Sequence, residues 1–111
     1  MDTIVKYREL IKELITKYAQ FTPSRGDVEI EKIFDEANDH YELIYSGWNG
    51  IYRIHGSVFH IDIRNGKILI QQDGSEEGIA EEFVKAGVDR NNIVLGYKPP
   101  STRALSGFAQ N

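Results

Sequence analysis

The chain has no cysteine, which excludes disulfides, thiolate nucleophiles and cysteine-ligated zinc sites together. Proline is scarce. Only Pro23, Pro99 and Pro100 occur among 111 residues, so the chain between them can pair as strands without interruption. No apolar run approaches the roughly 18 residues of a membrane span. The opening MDTIVKYREL lacks the apolar stretch of a secretory signal, and a cytoplasmic location is the expectation. Positive charge is also short: 13 basic residues face 17 acidic ones, giving a net charge of −4 and a pI near 5.3. Duplex affinity comes mainly from cations that displace counterions from phosphates, so tight direct DNA binding is not expected. The charge is uneven. Residues 21–40 and 73–92 each hold six acids and two bases, whereas 93–111 hold Lys98, Arg103 and no acid.

What the chain does have is turn chemistry. Asn49-Gly50 and Asn65-Gly66 separate runs of β-branched and aromatic residues. A two-residue type I′ turn needs positive φ at both central positions, and Asn-Gly tolerates that best. An antiparallel meander is therefore predicted, with strands near 40–48, 51–64 and 67–72. The apolar phase of the middle strand shifts: Tyr52, Ile54 and Val58 share one parity, Phe59, Ile61 and Ile63 the other. A one-residue bulge at Gly56 is expected to bring Tyr52 and Ile54 to the side of Phe59.

Ahead of the meander, Ile4, Tyr7, Ile11, Leu14, Ile15 and Tyr18 recur at helical spacing, predicting a helix over about 2–20 with Asp2 as its N-cap. Pro23 and Gly26 break it. Residues 28–35 read as a strand that turns at 36–39, with a short helix as the alternative. A second helix is expected from Ser75, with Glu76 and Glu77 at its positive end and Ile79, Ala80, Phe83 and Val84 buried. Gly87 ends it. A turn at 89–92, a short strand over Ile93–Tyr97 and an irregular tail from Pro99-Pro100 complete one domain, 1–111. The expected class is α+β: the N-terminal and second helices packed on one face of a mainly antiparallel β-meander sheet.

Several segments together resemble one family. GWNG at 47–50, HIDI at 60–63 and NGKILIQQDG at 65–74 closely resemble the XisI family of cyanobacteria, the fdxN element excision controlling factors. MDTIVKYRELIKELITKYA, PSRGDVEIEKIFDEANDHYEL, GIAEEFVKAGVDRNNIVLGYKPP and SGFA extend the similarity over essentially the whole chain. The resemblance implies an accessory role beside a site-specific recombinase in a developmental DNA excision of the heterocyst type, with a companion protein, XisH. It implies no biochemical activity.

The residues themselves offer little catalysis. The acid-x-Lys pair of a restriction-type nuclease is missing, because none of the seven lysines has an acid two positions before it. No Gly-x-Ser-x-Gly elbow or phosphate-binding Gly-rich loop occurs. Glu29, Glu31, Asp35 and Asp39 read as a solvated charge run. His60 and Asp62 share a strand face, and His40, placed opposite Phe59, lies near them. Two ligands on one strand fall short of a zinc site, so the pair is expected to be a metal-free polar pair on the less buried face. No cofactor is expected. Aromatics on the hairpin and tail suit a protein interface, with Trp48, Tyr97, Arg103 and Phe108 as its candidates.

The expected function is thus a non-enzymatic controlling factor that works through protein contacts with an XisH-like partner. The alternative is an inhibitory, antitoxin-like partner of a nuclease-like XisH, for which acidic composition could mimic DNA. Self-association is left open.

Overall fold

A computed structural model describes residues 3–21 and 26–111. The expected N-cap Asp2 and the break at Pro23 lie outside the described residues. Helix α1 (Thr3–Ala19) is followed by β1 (Asp27–Asp35), β2 (His40–Asn49), β3 (Tyr52–Arg64) and β4 (Lys67–Asp73). Helix α2 (Ile79–Lys85), a 3-10 turn at Arg90–Asn92, β5 (Ile93–Leu95) and a one-turn helix α3 (Pro100–Arg103) complete the order. The sheet runs β1-β2-β3-β4-β5. Its first four strands are antiparallel neighbours in sequence order, and β5 joins β4 in parallel after the α2 crossover.

The helical stripe of α1 is buried as its spacing requires. Tyr7, Ile11, Leu14 and Ile15 pack with Tyr41, Leu43, Phe59, Ile61, Ile68 and Ile70 of the sheet, and with Ile79, Ala80 and Phe83 of α2. One apolar face of the sheet thus meets both helices, as expected for α+β packing. Polar contacts fix the rim of α1. Arg8 donates from Nε and Nη2 to the Asp39 carboxylate at 2.8 and 3.2 Å. Lys17 and the Tyr18 hydroxyl both donate to Glu82 of α2, at 2.8 and 2.6 Å. The Tyr18–Glu82 hydrogen bond is the main reason the phenol is pushed up to about 12.

Asp39 sits in the left-handed region, φ 55°, in the β1–β2 turn. Its carboxyl is held below the ordinary aspartate range, chiefly by the Arg8 hydrogen bond. A depressed carboxyl stabilises the fold above the unfolded pKa of about 3.9, and that stabilisation is lost as pH falls through the lower folded value. Asp39→Asn keeps a residue that tolerates positive φ but removes the charge. It is expected to cost about 1.5–3 kcal/mol at pH 7, with the deficit shrinking toward zero in strong acid. Urea unfolding of both chains across pH 2–7 checks this. A pH-independent deficit contradicts it.

Several sequence expectations are corrected. The first hairpin does not turn on Asn49-Gly50. Asn49 pairs with Tyr52, so the two-residue loop is Gly50-Ile51. Gly50 alone has positive φ, 63°, the pattern that puts glycine first in the loop. The second hairpin does use Asn65-Gly66, at φ 54° and 75°, between paired Arg64 and Lys67. The β3 bulge lies at Val58, not Gly56: Leu43 pairs with Phe59, and Ile44 with Ser57. It produces the expected phase change, since Ile54 and Tyr52 then fall opposite Gly47 and Asn49, in step with Leu43 and Tyr41. A second register shift leaves Gln71 extra on β4.

Helix α2 starts at Ile79, not Ser75, because the Asp73 carboxylate gathers the intervening loop. It accepts from Ser75 N, Ser75 Oγ and Ile79 N at 2.9, 2.6 and 2.8 Å. Gly78 enters the helix at φ 93°, and Gly87 leaves it at φ 104°. Strand β5 ends at Leu95 rather than Tyr97, and the tail is not wholly irregular, since Pro100 opens α3.

A solvent-facing hairpin end and a buried carboxylate

Two places on the sheet carry unusual side chains. The first is the β2–β3 hairpin end. Trp48, Ile51 and Tyr52 are 51%, 87% and 72% exposed. Arg53 organises this end. Its guanidinium lies 5.1 Å from the Trp48 ring centre and donates to Gly47 O and Ser46 Oγ. A shallow cleft of about 250 Å³ adjoins it, lined by Asp27, Glu29, Ser46, Gly47, Trp48 and Arg53. Clustered exposed apolar groups beside a polar rim are a feature shared by many interaction surfaces.

The four residues singled out from sequence do not meet in one patch. Trp48 lies at this hairpin end. Tyr97 is exposed at the other side of the sheet, past β5. Arg103 is half-buried and donates to three carbonyls of its own chain, those of Leu95, Gly96 and Lys98. Phe108 packs partly against the core, with the Arg90 guanidinium 5.1 Å from its ring centre. The tail also runs along β5, where Ala109 N donates to Ile93 O and Val94 bridges Ala109. Its exposed apolar group is Leu105. Sequence reasoning had Tyr52 among the hairpin aromatics but passed over Ile51. The available signal was a β-branched residue directly after Asn-Gly, in a place normally polar.

The second place is Asp62. It is 2% exposed and lies among side chains of β2, β3 and β4 on the face opposite the helices. His40 stands opposite Asp62, not opposite Phe59. His40 Nδ1 and His60 Nε2 both lie 2.9 Å from Asp62 Oδ1. Gln71 Nε2 donates to Oδ2 at 3.3 Å, and Arg64 Nη2 is 3.6 Å from it. Asp62 is therefore a buried, multiply satisfied carboxylate, rather than half of an exposed polar pair. Its hydrogen bond raises the His40 imidazole above the ordinary range. His55, the third histidine, pairs with Ser46 near the hairpin end and takes no part.

Architecture and surface define a class: small α+β proteins with two helices on one face of a five-stranded, mainly antiparallel sheet. Within that class the chain belongs to the XisI family, described as XisI protein, whose sequence profile matches residues 1–110. Two solved structures are similar along their whole length. One is a XisI-like protein from Anabaena variabilis ATCC 29413, 43% identical, with a TM-score of 0.89, covering 95% of this chain and 96% of that one. The other is the fdxN element excision controlling factor XisI from the same organism, 35% identical, with a TM-score of 0.88, covering 99% and 100%. No protein of curated function matches the chain.

Proposed function

We propose that this protein is a non-enzymatic accessory factor in the controlled excision of a DNA element, and that it acts by binding an XisH-like protein. Family membership supports the controlling role, since a relative of the same architecture bears the description fdxN element excision controlling factor. The observation that carries a binding mode is the hairpin end. Trp48, Ile51 and Tyr52 stand in solvent beside the Asp27–Glu29 cleft. Burying three such side chains is worth about 1.5–3 kcal/mol each before the costs of association. Such an anchor suits a partner surface that combines an apolar pocket with a basic rim. Tyr97 and Leu105 offer a second, smaller contact on the tail.

A second reading has its own observation. Asp27, Glu29 and Glu31 are exposed at two-residue steps along β1, the open edge of the sheet. That row of carboxylates suits an inhibitor occupying a basic, DNA-binding cleft. Co-expression with the XisH-like protein separates the cases. The accessory reading expects a stable complex, lost in Trp48→Ala/Tyr52→Ala, that leaves any DNA cleavage by the partner intact. Suppressed cleavage that returns with Glu29→Gln/Glu31→Gln supports the inhibitor. No complex with the partner contradicts both.

A further inference from the structure

We infer that His40, His60 and Asp62 form a binding site for one divalent transition-metal ion, with zinc favoured by the ligand set. The three side chains come from two strands and converge on the sheet face away from the helices. Their donor atoms all lie within 4.8 Å of one another. Both imidazole nitrogens point at the same oxygen, Asp62 Oδ1, each at 2.9 Å. Zinc bonds of about 2.0–2.1 Å in tetrahedral geometry hold neighbouring ligand atoms about 3.3 Å apart. The two nitrogens already lie near that spacing from Asp62 Oδ1, and side-chain rotation would bring them within reach of a shared ion.

The surroundings match what metal ligands require. Asp62 Oδ2 is held by Gln71 and faces Arg64, which leaves Oδ1 as the oxygen directed at the histidines. His60 Nδ1 lies 3.7 Å from Glu42 Oε1. Histidines that bind metals commonly present their second N–H to a carboxylate, which fixes the ring and its tautomer. Without an ion, a neutral His60 can offer a proton to only one of its two carboxylate neighbours. With an ion on Nε2, the remaining ring proton sits on Nδ1, the nitrogen that faces Glu42. Asp62 and Glu42 carry two negative charges against one on Arg64, so the locale retains net negative charge for a dication. Two imidazoles and one carboxylate favour zinc and its neighbours over magnesium or calcium, which prefer all-oxygen shells. His40 and His60 are partly open to solvent, so a fourth position is left for water or for a donor from another molecule.

The test is calorimetric titration of chelator-stripped, untagged protein with zinc sulfate, paired with cobalt(II) absorption spectra. One equivalent should bind with a Kd of about 10 µM or tighter, and cobalt should give the intense visible bands of a four-coordinate site. His40→Gln and His60→Gln should each weaken zinc binding about tenfold or more, and Glu42→Gln should weaken it measurably. The His40 ring is half-exposed and a glutamine amide can still donate to Asp62, so the metal-free His40→Gln variant should still unfold cooperatively, which separates lost ligation from lost folding. A Kd weaker than that, or binding that either histidine variant leaves unchanged, overturns the proposal and leaves Asp62 as a hydrogen-bonded cluster alone.

Discussion

Phe59→Ala is expected to destabilise the protein by about 3–5 kcal/mol. Phe59 is fully buried at the centre of β3, opposite Leu43 and one residue past the bulge. Its ring lies 4.9 Å from that of Tyr18, so it joins α1 to the sheet. Truncation removes an aromatic side chain from a place where helix and strand cannot both close on the gap. The loss is a large share of the roughly 5–15 kcal/mol that holds a domain of this size. Equilibrium urea unfolding should show a midpoint much lower at unchanged slope. Phe59→Leu should recover most of the loss, because it refills the volume. A deficit below about 1 kcal/mol for the alanine variant would contradict the packing described.

Gly47→Ala is the second large effect, expected at about 3 kcal/mol. Gly47 is opposite Val28, on the buried side of β2. A Cβ there would overlap the Asp27 carbonyl oxygen and lie 2.7 Å from Val28 Cα. Both are backbone atoms, so no side chain can swing aside. The strand pair must separate, and β1 should lose amide protection first in hydrogen exchange. Gly50→Ala is the informative comparison. A Cβ at Gly50 meets open space, but φ is 63°. The expected cost is therefore only conformational, about 1 kcal/mol. Equal losses for the two variants would show that the close approach of β1 to β2 does not matter.

These glycines show where sequence reading works and where it stops. Gly66, within Asn-Gly, is legible because the turn chemistry is local. Gly47 is not, because its constraint comes from a strand that lies twenty residues earlier in sequence and passes beside it. The same distinction explains the displaced histidine. Moving the hairpin loop by one place shifts each cross-strand partner by two residues, and the Val58 bulge adds one more. His40 thus faces Asp62 rather than Phe59, three residues away. The sequence reading already placed His40 near His60, and the observed register sets it directly opposite Asp62. The α1 stripe and the two-helices-on-a-sheet arrangement were readable because 3.6- and 2-residue periods are written directly in the residues. The start of α2 was not, since Asp73 reaches over six residues to Ile79 N, a contact without a periodic mark. The tail shows the same limit of residue type. Arg103 has the residue type of an interface anchor, yet its guanidinium serves its own backbone carbonyls.

The proposed mode of action, in which the exposed hairpin end grips a partner protein, rests on one binding event. Calorimetric titration of the purified chain into the purified XisH-like protein from the same genome tests it most directly. The expected result is saturable one-to-one binding that Trp48→Ala/Tyr52→Ala weakens about a hundredfold, in line with the loss of two aromatic anchors, while both variant side chains leave the melting temperature near the parent value. Absence of binding, or binding that the double variant leaves unchanged, would contradict it.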